Sequence, residues 1–347
     1  MDFVPPIKKL VFREQAEWLR SLVPGLLVTA LVAMAAAFLG SYYKGSMLLF
    51  ALLLGLALHF VSEDKRCAEG VQFASSTVLR LGVALLGLRL TVEHVVTLGW
   101  QTAVALLVAV TLTIALGLVL ARLLKVEGGL GLLVGGATAI CGASAALAIS
   151  SVLPTYPQRE RDTALTVVGV TTLSTFAMVI YPMLTSWLGF DGLTSGKFIG
   201  ATIHDVAQVV GAGYSLSPQA GDAATITKLM RVALLMPVLI VISMLVRARM
   251  ARNSLEVAST SKTPLLPWFC VAFVILMLVN STGWVPKMVQ TGASDLSQAF
   301  LVLAIAGVGL KTPLKEVTEL GWRPVILIVS VTVGLALMAA AYLAVMR

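Results

Sequence analysis

The chain has 347 residues, is 58% hydrophobic and 12% charged, and has a mean hydropathy of +0.95. Soluble domains run about 45–50% apolar and about 25% charged, so this composition excludes a soluble two-domain protein of the same length. The net charge of +8 sits on basic residues at the ends of apolar runs, where membrane anchors belong, and so argues against nucleic-acid binding.

The first twenty residues carry Lys8, Lys9, Arg13 and Arg20 without the short apolar core and small-residue cleavage site of a signal peptide. With Trp18 beside Arg20 they predict an amphipathic cytoplasmic lead-in over 1–20. From there the apolar runs follow one another with no polar domain between them, which predicts a single all-α polytopic membrane domain covering 1–347. A span needs about 20 apolar residues. On that rule the spans are about eleven: 21–40, 46–62, 73–90, 101–121, 128–153, 164–188, 197–214, 226–246, 265–280, 296–310 and 324–346. The shorter runs also fit half-helices, which leaves ten open.

Lys and Arg in short loops set orientation. A cytoplasmic N-terminus puts Lys65, Arg66, Arg122, Lys125, Arg247, Arg249, Arg252, Lys311, Lys315 and Arg323 inside. The loop Thr155–Asp162 then falls outside despite Arg159 and Arg161, and the odd count places the C-terminus outside.

In chain order, the first candidate for chemistry is Arg80, inside the third span. A guanidinium at depth needs a carboxylate, backbone carbonyls or an anionic ligand. The fifth span then contains GGATAICGASAALAISSVLP (Gly135–Pro154) and the seventh GKFIGATIHDVAQVVGAG (Gly196–Gly213), two apolar runs interrupted by Gly, Thr and Ser. Interrupted backbone survives in hydrocarbon only when it is buried in protein or lines a watery cavity, and paired interruptions point to a transporter's substrate site.

In the first, Thr138, Cys141, Gly142 and Ser144 mark the break. A half-helix starting near Gly142 would offer free N–H groups and a positive dipole end to an anion. Against this, small residues also serve simple close packing, and Cys141 fits a packing role. In the second, His204, Gln208 and Gly211 follow an i, i+4, i+7 spacing with Asp205 on the flank and Gly200 upstream. His204 and Asp205 could exchange a proton, or Asp205 and Gln208 could hold Na⁺. A structural His–Asp pair locking two helices is the alternative. Arg231, early in the eighth span, either meets the ligand or snorkels to an interface.

LGLRLTVEHVVTLGW (Leu86–Trp100) recurs without gaps as VGLKTPLKEVTELGW (Val308–Trp322), with Arg89 answered by Lys311. The two copies follow spans three and ten, so they would enter the membrane from opposite sides as an inverted repeat. The two broken segments do not fit that scheme: as spans five and seven they would run parallel.

LRLGVALLGLRLT (Leu79–Thr91), ATAICGASAALA (Ala137–Ala148), GATIHDVAQVVGAG (Gly200–Gly213) and TKLMRVALLMPV (Thr227–Val238) together resemble the YeiH-type sulfate exporter family of bacterial inner-membrane proteins, over nearly the whole chain. Gly87–Leu188 is also distantly similar to the first half of bile-acid sodium symporters. These resemblances imply a cation/proton antiporter-like architecture with discontinuous helices crossing near the midplane. They also imply a secondary transporter of sulfate, sulfite or a related organosulfur anion. No nucleotide-binding G-x-x-x-x-G-K-[ST] occurs, so the expected energy source is a gradient of H⁺ or Na⁺, with transport without a coupling ion as the third alternative. The three cysteines have no metal spacing, and no cofactor is expected. The expected partners are a small anion, membrane lipids and the coupling ion, with a homo-oligomer left open. An anion channel, or an intramembrane enzyme with only three histidines to draw on, are the alternatives.

Overall fold

The computed structural model describes residues 7–43, 45–154, 156–252, 268–312 and 321–346, and all regular structure among them is helical. In chain order the helices are α1 (Ile7–Tyr43), α2 (Met47–Ala57), α3 (Lys65–Phe73) and α4 (Leu79–Leu86), the last two joined by a π turn over Ala74–Val78. After them come α5 (Val92–Leu98), α6 (Trp100–Leu123), α7 (Gly128–Ala139), α8 (Ala143–Val152) and α9 (Arg159–Trp187). The chain continues through α10 (Gly192–Thr202), α11 (Val206–Leu216), α12 (Pro218–Ala233) and α13 (Leu235–Arg252), and ends with α14 (Trp268–Ser281), α15 (Lys287–Lys311) and α16 (Trp322–Val345). Among the described residues six stretches are long and apolar enough to cross a membrane unaided. The outer faces of helices such as α6 remain about half exposed at Val104, Leu107, Val108 and Leu112, as expected where the solvent is lipid. The protein is an all-α polytopic membrane protein.

The eleven apolar segments lie where the sequence places them, but two of them do not cross. A methyl group at Gly136 on α7 would collide with the Ile149 side chain on α8, and one at Gly129 would meet Tyr156. Residues 27 apart on a straight path would be separated by about 40 Å, so α7 and α8 fold back as a re-entrant hairpin. The same holds for α10 and α11. Gly196 at the start of α10 and Gly213 at the end of α11 both press on Ala220 and Ala224 of α12, and Gly192 sits beside Ser217 and Gln219. Small residues line these contacts because two backbones this close leave no room for a Cβ branch.

Helix α9 links the base of one hairpin to the base of the other, with Thr163 bonded to Ser150 at its start. Its 29 residues rise about 43 Å, so the hairpins enter from opposite faces. The remaining segments include the six stretches long enough to cross a membrane unaided among the described residues. This corrects two expectations. The loop at 156–162 lies on the same face as Arg122 and Lys125, with Tyr156 beside Glu127 and Gly129, and not opposite them. The two broken segments also become antiparallel, which removes the conflict with the inverted repeat.

The repeat is visible in the backbone. Gly99 precedes α6 with φ 78° and ψ 149°, and Gly321 precedes α16 with φ 76° and ψ 148°. Both positions demand glycine because φ is positive. Helices α6 and α16 pack antiparallel, with Tyr342 near the end of α16 donating to the Gln101 carbonyl at the start of α6 (3.4 Å) and Gly334 against Leu116. Trp100 and Trp322 therefore mark opposite faces, and so do Arg89 and Lys311 at the ends of α4 and α15. Residues 313–320 of the second copy lie outside the described residues.

Packing divides the helices into two bundles. One holds α1–α4 with α14 and α15, where Gly55 meets Gly309 and Gly25 meets Gly70. The other holds α6, both hairpins, α9, α12 and α16.

Candidate functional site

The hairpin tips meet inside the second bundle. Gly142, at φ 64° and ψ −123°, turns the first tip. Its Cβ position lies 3.5 Å from the Cβ of His204 in the second. Each tip leaves the last carbonyls of its descending helix without intrahelical donors, and two cations one helical turn apart on α12 meet them. Lys228 Nζ donates to the carbonyls of Ile140 (2.7 Å) and Ile203 (3.0 Å). Arg231 Nε donates to Ala139 (2.9 Å), Nη2 to Thr138 and Ala139 (2.7 Å each), and Nη1 to Gly200 (3.2 Å) and Ile203 (3.3 Å). Both side chains are buried, at 0% and 1% exposure. Cations at the negative ends of two helix dipoles offset part of their own desolvation.

Helix α9 supports the second tip. Ser174 Oγ accepts the N–H groups of His204 (3.2 Å) and Asp205 (3.1 Å), and Gln208 donates to Thr175 Oγ1 (2.8 Å). His204 Nε2 lies 3.1 Å from Thr332 Oγ1 on α16, while Nδ1 faces the Thr138 backbone without closing a hydrogen bond.

The two ascending helices differ at their N-termini. Asp205 caps α11, its carboxylate accepting the Ala207 N–H (2.8 Å), and lies within the electrostatic reach of Lys228 and Lys311. No side chain caps α8. Its first turn opens outward through exposed Ser144 and half-buried Ala143. Around the tips, the buried Thr138 Oγ1 and Gln208 Oε1 have no hydrogen-bond partner among the described residues. Lys228 spends two of its three protons on carbonyls. Lys228 and Arg231 against one Asp205 carboxylate leave the crossing net positive.

The structure thus brings Thr138, Cys141, Gly142, Gly200, His204, Asp205, Gln208 and Arg231 to one crossing, with Ser144 at its open edge. Several hold different positions from those the spacing suggested. His204 and Asp205 precede α11, so they belong to the break and not to a helical face with Gln208. Arg231 neither snorkels nor stands free for a ligand, since its guanidinium is used on backbone. Gly200 packs on Ala224 and Thr227, and Gly211 on Met178 and Ile305, which makes both close-packing positions. Arg80 is exposed on α4, which packs against α14 and α15, and no hydrogen bond joins it to a described residue.

Sequence reasoning passed over Lys228, Ser174, Thr175 and Thr332, and read Lys311 as a loop-end anchor. For Lys228 a signal existed: Lys228 and Arg231 at i, i+3 in an apolar run share one helical face. The hydroxyls of α9 and α16 are unremarkable in sequence and gain meaning only from the tips they face.

A second polar cluster joins the bundles on the Trp100 face. Arg89 Nε lies 3.3 Å from Asp222 Oδ1, its guanidinium stacks over Tyr214 (5.3 Å to the ring centre), and Tyr214 donates to Asp222 (2.5 Å). At the repeat-related position, Lys311 is exposed and has no ion pair within salt-bridge distance among the described residues.

Comparison with known proteins places the chain. Residues 24–328 match the family described as Conserved hypothetical protein 698. A UPF0324 membrane protein of Chlorobaculum tepidum is 46% identical over 91% of this chain and 87% of its own length. One from Rhizobium meliloti is 48% identical over 90% of each. The UPF0324 membrane protein TauZ of Paracoccus denitrificans is 50% identical over 90% of this chain and 92% of its own. No solved structure matches. The chain belongs to the UPF0324 family of membrane proteins, the family-level relation that its YeiH-type motifs imply.

Proposed function

We propose that this protein is a secondary transporter that moves a small oxyanion, of the sulfate, sulfite or organosulfur class, across the bacterial inner membrane. The observation that carries the reading is the asymmetry of the crossing. Both descending helix ends are tied to cations and α11 carries its own carboxylate, but the N-terminus of α8 is uncapped and open at Ser144. An anion seated there would receive the N–H groups of Ala143 and Ser144, the helix dipole, and the third proton of Lys228. The net positive balance supports an anion. It also supports a proton over Na⁺ as the coupling ion, because Lys228 and Lys311 already attend the Asp205 carboxylate. In this reading Asp205 exchanges the coupling proton and His204 positions it.

The basic loops support a cytoplasmic Trp322 face. Lys65, Arg66, Arg122, Lys125, Arg159, Arg161 and Arg323 gather there, a stronger bias than the sequence-based topology allowed once 155–162 joins that side. The Arg89–Tyr214–Asp222 cluster then closes the periplasmic side, and the open edge at Ser144, Asp205 and Lys311 supports an inward-facing state. A thermal-shift screen of purified protein against sulfate, sulfite, thiosulfate, sulfonates and carboxylates, with and without Na⁺, tests the substrate. A ligand at about 100 times its Kd adds about 2.7 kcal/mol. Accumulation of unaltered anion in vesicles distinguishes transport from an enzyme, and saturable counterflow distinguishes a carrier from a channel.

A further inference from the structure

A cavity of about 830 Å³ opens between α6, α10, α12 and α16. Its walls are mostly apolar, running from Leu98 at the end of α5 along α6 from Trp100 to Leu112. The α6 part of that wall rises about 18 Å, enough to pass the middle of a hydrocarbon core about 30 Å thick. The mouth carries Trp100, Gln101 and Tyr342, and Trp100 is 73% exposed. Aromatic residues of this kind mark the headgroup level of a bilayer.

Thr102, Thr194, Lys197 and Thr227 break the apolar lining below the rim, and two of them stand out. Lys197, half-buried on α10, makes no ion pair within salt-bridge distance to a described residue. Its nearest acidic influence is Asp191, whose carboxylate accepts the Thr194 N–H as the cap of α10. At the deep end lies Thr227, fully buried, its hydroxyl without a partner among the described residues.

We infer that this groove is a specific site for an anionic phospholipid of the Trp100-side leaflet, its acyl chain lying along α6 and its phosphate held by Lys197. One leaflet's depth of apolar wall beneath an interfacial aromatic rim fits one acyl chain. The lysine stem reaches the headgroup level by snorkelling, and its ammonium complements phosphate while the described residues of the lining supply no second cation for a free dianion. Such a lipid braces α10 against α12, one residue from Lys228, and so supports the hairpin tip from behind.

The test is native mass spectrometry of the whole protein in detergent with equimolar phosphatidylglycerol and phosphatidylcholine. The expected result is at least fivefold preferential retention of phosphatidylglycerol by the wild type. That preference should vanish in Lys197→Gln, and Ala105→Trp, which fills the groove, should reduce retention of both lipids. Equal retention of the two lipids by the wild type would overturn the inference. So would an unchanged preference in monodisperse Lys197→Gln, or undiminished retention in Ala105→Trp.

Discussion

Arg231 holds four carbonyl oxygens from two hairpins, so removing it strands buried acceptors and does not merely delete a charge. At about 1–3 kcal/mol for each stranded group, Arg231→Met should cost at least about 3 kcal/mol and lower the melting temperature sharply. Arg80→Ala should melt normally and bind anion within about twofold of wild type, because Arg80 is exposed and joined to nothing at the crossing. A tenfold loss of binding in that variant would return Arg80 to the site. From sequence the two arginines look alike, each a guanidinium in an apolar run. What separates them is whether backbone carbonyls face them, and that depends on where two distant hairpins turn. Asp205→Asn keeps an N-cap side chain and should fold, yet gradient-driven uptake should be lost because an amide releases no proton. Uptake with wild-type ion dependence would leave Asp205 a cap and nothing more.

The hairpin tip around Gly142 is the element on which the crossing depends. Its φ of 64° with ψ −123° is a region that side chains other than glycine enter only with strain. An added Cβ would meet His204 at an ordinary contact distance of 3.5 Å. Gly142→Ala should therefore cost about 1–3 kcal/mol through backbone strain, with transport lost as the tip shifts. A variant that melts and transports like wild type would show the tip to be tolerant. Where α7 stops and α8 starts was legible, because Thr, Cys, Gly and Ser cluster there in an otherwise apolar run. That the chain then turns back was not. A straight broken helix and a re-entrant hairpin share one hydropathy profile, and only the pairing of Gly136 with Ile149 and of Gly129 with Tyr156 separates them.

For the whole molecule, the repeat at 86–100 and 308–322 identified the inverted relation correctly, since a copied glycine with positive φ leaves a residue-level mark. The side of the 155–162 loop was missed because each hairpin, counted as a crossing, reverses every later assignment until the next one restores it. Cysteines at Gln158 and Glu127 should react with an impermeant reagent from the same side, and one at Glu93 from the other. Labelling of Gln158→Cys together with Glu93→Cys would restore eleven crossings.

In the proposed transport cycle, alternating access requires the Arg89–Asp222 contact between the bundles to break. An Arg89→Cys/Asp222→Cys pair should stop counterflow when oxidised and recover it on reduction, and counterflow that persists in the cross-linked protein would show that this contact does not move.

Equilibrium binding of labelled sulfate and sulfite to wild type, Lys228→Gln and Arg80→Ala decides whether the anion sits at the hairpin crossing. The Gln side chain retains donors for the hairpin carbonyls but removes the charge and the third proton. Saturable binding by wild type and Arg80→Ala, weakened at least tenfold in folded Lys228→Gln (about 1.4 kcal/mol), is the predicted result. Equal binding by wild type and Lys228→Gln would place the anion elsewhere and contradict the account.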